Sequence, residues 1–158
     1  MALDSCIRTE ATIERPVADV YGYVTTPANW PQWHPSSVRV TGDAAGHSLG
    51  VGEQCTEEFV VAGHHDETGW ICRERVAEKR WVIEAISERG GSGTITYDFA
   101  TAGDGTQFTR TFRYRMPNFG LEILNVLVIR RRIAAESRRA TETLKRVLED
   151  SKTLVEQR

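Results

Sequence analysis

Apolar positions recur along this chain with two different periods. Over residues 6–14 the alternation is strict: Ile7, Thr9, Ala11 and Ile13 fall on one side, and Arg8, Glu10, Thr12 and Glu14 on the other, which predicts a half-buried strand. Pro16 suits a first helical position, and Val17, Val20, Tyr21 and Val24 follow at the spacing of a short amphipathic helix that Pro27 stops. Residues 28–35, with Trp30 and Trp33, predict a second short helix or turn, and 38–41 a brief strand. Residues 42–52 form a glycine-rich loop. Its Gly50-Val51-Gly52 lacks a following Gly-Lys-Ser/Thr and leads into strand-like sequence, so a phosphate-binding loop is excluded. Strands are predicted over 53–61, 68–76 and 80–86, with turns at Gly63-His64-His65, Ala77-Glu78-Lys79 and Gly90-Gly91-Ser92-Gly93.

The next two strands, 93–100 and 107–116, allow a register to be set. Ala102-Gly103-Asp104-Gly105 is hairpin chemistry. Pairing Thr101 with Thr106 puts Phe99 opposite Phe108, Tyr97 opposite Arg110 and Ile95 opposite Phe112. The aromatic residues then share one face, while Thr94, Thr96, Asp98, Thr109 and Arg113 share the other. A slip of one residue would destroy that separation.

The period changes to that of a helix over residues 118–155. Pro117-Asn118 supplies a stop and an N-cap. Taking Val126 as zero, Ile129, Ile133, Ser137, Ala140, Leu144, Val147, Leu148, Ser151 and Val155 gather on one face, and Arg131, Arg132, Arg138, Arg139, Lys145 and Arg146 on the opposite one. Two irregularities stand out. Leu121, Ile123, Leu124, Val126, Leu127, Val128 and Ile129 are apolar on every side, so a covering element is expected there. Midway, the inward stripe shrinks to Ser137 and Ala140, beside Ala134 and Thr141, which calls for close approach of the sheet or an unfilled volume.

Composition narrows the class. The 158 residues carry a formal net charge of −2, with 40% hydrophobic and 27% charged residues, which is one ordinary domain's worth of chain, residues 1–158, and no general nucleic-acid or membrane coat. Cys6, Cys55 and Cys72 share no metal-like spacing and fit buried free thiols in a reducing cytosol. Neither a signal peptide nor a membrane span is visible. The stretch 130–146 carries seven Lys/Arg against Glu136 and Glu142. Lacking interleaved aromatics, it reads as a solvated helix face rather than a nucleic-acid footprint.

The order of elements, strand, two short helices, six strands and one long helix, resembles the helix-grip architecture of the START/Bet v 1-like (SRPBCC) superfamily. Ile13-Glu14-Arg15-Pro16-Val17-Ala18-Asp19-Val20-Tyr21 is similar to that superfamily's strand-to-helix passage, Asn29-Trp30-Pro31-Gln32-Trp33-His34-Pro35 to its short second helix, and Gly105-Thr106-Gln107-Phe108-Thr109-Arg110 to the start of its last strand. The nearest likeness is to the polyketide cyclase/dehydrase-like branch. It implies an α+β fold in which a curved seven-stranded antiparallel sheet wraps the C-terminal helix around a hydrophobic cavity. With a cavity expected, Ser137 and Ala140 read as room for a ligand, and Leu121 to Ile129 as a gate at its mouth, with a dimer contact or simple coverage by the glycine-rich loops as the alternatives.

Arg110 is the sharpest candidate for chemistry, because a guanidinium on an apolar face needs a carboxylate, carbonyls or a ligand anion. Arg110 and Tyr97 would orient a ligand or polarise its carbonyl, and Glu74 is the expected protein partner if Arg110 is structural. His64-His65-Asp66-Glu67 reads as a turn rather than a metal site, since neighbouring strand residues face opposite ways. His34 reads as packing or capping. The expected cavity lining is Trp33, Trp70, Trp81, Ile83, Tyr97, Phe99, Phe108, Arg110, Phe112, Tyr114, Leu124, Val128 and Ser137. The expected function is cytoplasmic binding of a small hydrophobic molecule with a polar or anionic group, without metal, cofactor, nucleic acid or stable membrane insertion. The rivals are an aromatase/cyclase or dehydratase using Arg110 and Tyr97, a partner module of chaperone-activator type, and lipid transfer.

Overall fold

The computed structural model describes residues 4–61, 63–86, 91–116 and 118–156, with side chains at all of these except 119, 122, 125, 126 and 152–156. Strand β1 (Ser5–Ile13) leads into α1 (Val17–Val24), a 3₁₀ turn (Pro27–Asn29) and α2 (Trp30–Trp33). Then come β2 (Ser37–Thr41), β3 (Gln54–Val61), β4 (His64–Val76), β5 (Arg80–Ile86), β6 (Ser92–Ala102) and β7 (Gly105–Arg115). Helix α3 (Phe119–Leu124), a π-helical turn (Asn125–Ile129) and α4 (Arg130–Glu156) complete the order. The strands make one antiparallel sheet in the order β1-β7-β6-β5-β4-β3-β2, a curled half-barrel around the C-terminal helix.

The hairpin register follows from side-chain segregation and is the expected one. Tyr97 pairs with Arg110, Phe99 with Phe108, Ile95 with Phe112 and Thr101 with Thr106. Gly103 takes the left-handed conformation at φ 60° that the two-residue turn requires. Gly105 is needed for a different reason: a Cβ there would lie 2.6 Å from the Ile13 carbonyl oxygen, at the end of the β1–β7 pairing.

Helix α4 lies along β1. The Thr9 and Thr141 hydroxyls are 2.8 Å apart, Arg15 Nη1 donates to the Leu148 carbonyl at 2.9 Å, and Lys145 Nζ donates to the Thr12 carbonyl at 2.7 Å. Close approach therefore explains the small residues Ala140 and Thr141. Asn118 caps the helix as expected, its Oδ1 accepting from the Leu121 amide at 2.9 Å.

One end of the concave face is packed solid. Tyr21 of α1 meets the Phe99 ring edge-on at 5.1 Å, and Trp81 stacks on Tyr97 at 5.2 Å. Leu49 of the glycine-rich loop is fully buried, and its carbonyl accepts from Trp81 Nε1 at 3.0 Å.

Several details differ from the sequence reading. Strand β4 starts at His64, not at 68, because Val61 already pairs with His64 across a tight turn containing Gly63 (φ 79°). His64 and His65 are both exposed strand residues. A bulge between Cys72 and Glu74 turns Glu74 out to solvent, where it meets Arg80 at 3.4 Å, while Trp70 stays inside. Cys6 is exposed; Cys55 and Cys72 are the buried thiols. Ser151 is exposed because α4 has run past the end of β1 by then. Pro117 and the Gly90 portion of the predicted turn lie outside the described residues, as do the side chains of Val126 and Val155.

Candidate functional site

The other end of the concave face is hollow. A cavity of about 290 Å³ lies between the sheet, α2 and the start of α4. Its walls are the apolar side chains of Trp30, Trp33, Phe59, Ile95, Phe112 and Ile133, joined by Trp70, Tyr97 and Tyr114. The lining reaches Ser92 and Arg115, both exposed, so this end meets the surface where β6 begins and β7 ends. Ser137 borders the void, so the small residues of α4 divide their work: room for a cavity at 137, contact with the sheet at 140 and 141.

Arg110 points into this space and is 4% exposed. Its Nη1 donates to Ser137 Oγ at 3.1 Å and its Nη2 to His34 Nε2 at 3.4 Å, while the guanidinium carbon sits 5.6 Å from the centre of the Phe112 ring. Its Nε, also buried, has no hydrogen-bond partner among the described residues, nor does Arg110 form an ion pair there. Since a guanidinium can only donate, Nε2 of His34 is the acceptor, which leaves the imidazole proton on Nδ1 to be donated to Ser36 Oγ at 2.8 Å.

The carboxyl near Arg110 is Glu57, not Glu74. Glu57 extends from β3 and borders the cavity, and its Oε2 accepts from Trp70 Nε1 at 2.8 Å. Burial raises its pKa, opposed by the Trp70 hydrogen bond and the Arg110 charge. The same surroundings act on the neighbouring groups. Burial, then the Arg110 charge, lowers His34 to about 3, so the imidazole is neutral at neutral pH. Burial pushes the Tyr97 hydroxyl up to about 12 against the pull of Arg110. Glu136, on the rim from α4, is raised by burial, held back by the Ser36 hydroxyl and by Arg139 and Arg132.

Of the predicted lining residues, Trp33, Trp70, Tyr97, Arg110, Phe112, Tyr114 and Ser137 border the cavity. Trp81, Ile83, Phe99 and Phe108 are buried but lie in the solid end of the core, where α1 and the Leu49 loop fill the space. Leu124 and Val128 are corrected: they are 46% and 45% exposed and outside the lining. Val128 precedes Ser137 by roughly two and a half helical turns, which places it on the opposite side of the rod. No described element covers that apolar end. Sequence reasoning missed His34, Ser36, Glu57 and Glu136. His34 was open to inference from its place directly after Trp33, and Glu57 from its alternation with Cys55, Phe59 and Val61, which puts it on the apolar face of β3.

Residues 5–149 match the family model described as polyketide cyclase / dehydrase and lipid transport. The chain belongs to this family. In fold, the chain resembles TTHA0849 from Thermus thermophilus, with a TM-score of 0.75 at 14% identity, covering 93% of this chain and 99% of that one. It also resembles a point mutant of Thalictrum flavum norcoclaurine synthase, with a TM-score of 0.68 at 14% identity over 96% and 98% of the two chains. By sequence it is 32% identical over 108 residues to penitrem biosynthesis cluster 1 protein I of Penicillium ochrochloron, which spans 65% of this chain and 71% of that protein. The family provides for ligand binding or cyclase-type chemistry, and no described helix is long and apolar enough to cross a membrane.

Proposed function

We propose that this protein is a cytosolic carrier or receptor for a small, largely apolar molecule whose carboxylate or carbonyl group rests against Arg110. The supporting observation is the buried guanidinium without an ion-pair partner among the described residues, facing an apolar cavity with a buried N–H left over. Apolar walls supply affinity and a few polar groups fix orientation. The cavity's 290 Å³ falls at the low end of the roughly 300–1,000 Å³ common for ligand pockets, which fits a molecule of one or two rings or a short acyl chain better than a two-chain lipid.

A catalytic reading draws on the relative named for a biosynthesis cluster. Arg110 and Tyr97 would polarise a carbonyl, with Tyr97 kept as a proton donor by its raised pKa. His34, at about 3, is too weak a base to serve well near neutral pH. Binding is therefore the reading preferred.

Native mass spectrometry of gently purified protein, followed by calorimetry with a panel of aromatic and short acyl carboxylates, tests the proposal. Retained or added ligand of small mass is expected, and Ser137→Leu, which fills the cavity from α4, should abolish it. Wild type that takes up none of the panel, or a Ser137→Leu variant that binds as wild type does, would overturn the reading. Turnover of a bound carbonyl compound would move the assignment to the enzyme.

A further inference from the structure

The apolar end of the C-terminal helix is uncovered in a specific way. Ile123, Leu124, Leu127 and Val128 are 50%, 46%, 65% and 45% exposed, the most concentrated run of exposed large apolar side chains among the described residues. Elsewhere such residues occur singly, as at Val38, Val51, Val76 and Ile86. Directly after the run, Arg130, Arg131 and Arg132 are exposed, and Arg138, Arg139 and Arg146 continue the exposed basic side along α4. Among the described residues, Arg130, Arg131, Arg138 and Arg146 form no ion pair.

We propose that this face docks the protein peripherally on an anionic lipid bilayer, with Ile123, Leu124, Leu127 and Val128 entering the headgroup boundary and the arginines meeting lipid phosphates. Two observations select that occupant over a second protein surface. The apolar residues lie beside strongly basic ones with few carboxylates between them, which is the pattern that adsorbs to negatively charged membranes. The charge is local, since the whole chain carries −2. The proposal stands on surface chemistry and does not depend on what fills the cavity.

The full chain is tested by flotation with phosphatidylcholine vesicles alone or containing 30% phosphatidylglycerol. Co-flotation with the anionic vesicles at low salt is expected, falling at least tenfold in 0.5 M salt and absent with phosphatidylcholine alone. Leu127→Asp and Arg131→Glu/Arg138→Glu should each reduce it at least fivefold, and circular dichroism should be unchanged because these side chains are exposed. Carboxylate binding in the cavity should survive in all these variants, which separates failure of docking from failure of the ligand reading. No flotation with anionic vesicles, or equal flotation of the charge-reversed variant, would overturn the proposal. So would a dimer in light scattering that Leu127→Asp dissociates, since a second copy would then own the patch.

Discussion

Arg110→Met removes the one cavity group that the ligand proposal cannot do without. Arg110 is buried, donates to Ser137 and His34, and leaves Nε unpartnered. A hydrogen bond to a charged group contributes about 1.5–3 kcal/mol, and every 1.4 kcal/mol or so is tenfold in affinity. A carboxylate ligand should therefore bind roughly 10- to 150-fold more weakly to the variant. Its methyl ester, equal in shape but uncharged, should lose much less. Folding should not suffer in step: taking one buried charge out of an apolar site removes a desolvation penalty of several kcal/mol, so the urea midpoint should hold or rise. Loss of the Arg110 charge also removes one influence holding the Glu57 carboxyl down, so its pKa should climb further. The assay is isothermal calorimetry with acid and ester pairs beside urea titrations. Equal losses for acid and ester would show that Arg110 acts through shape alone, and no loss for either would remove it from the site.

Three further outcomes follow from the geometry. His34 sits at about 3 in the folded protein against an ordinary 6.5, so between those values the unfolded chain binds a proton the folded one does not. Stability should fall as pH drops from about 6.5 toward 3, and His34→Gln should flatten the dependence of the urea midpoint on pH; parallel slopes in the two proteins would refute this. Thr141→Val leaves the Thr9 hydroxyl without its 2.8 Å partner and should cost about 1–3 kcal/mol. The Thr9→Val/Thr141→Val double variant should cost less than the two single losses together, as a denaturation cycle would read. Gly105→Ala drives a methyl group toward the Ile13 carbonyl and should cost about 1–3 kcal/mol, measured by thermal unfolding.

The sequence by itself determined the order of elements, the alternation of β1, the β6–β7 register and the inward face of Arg110. Those are local matters, set by side-chain period, turn chemistry and the segregation of apolar from polar positions across a hairpin. It also placed the change from large to small side chains at Ser137, where the cavity begins. Only the tertiary structure decided which inward residues border space and which fill it. Trp81 and Tyr97 are cross-strand neighbours on the same face, yet Trp81 is sealed by the Leu49 loop and Tyr97 reaches the void. The partner of Arg110 was likewise a tertiary matter. The β4 bulge sends Glu74 outward, and Glu57 and His34 reach the cavity from β3 and α2, far away in sequence. Periodicity reports which way a side chain points from its own backbone; what stands opposite depends on how the sheet curls and where the loops settle. The exposed apolar run at Ile123 to Val128 shows the same division: its composition was plain in the chain, but that nothing described covers it could be read only from the packed molecule.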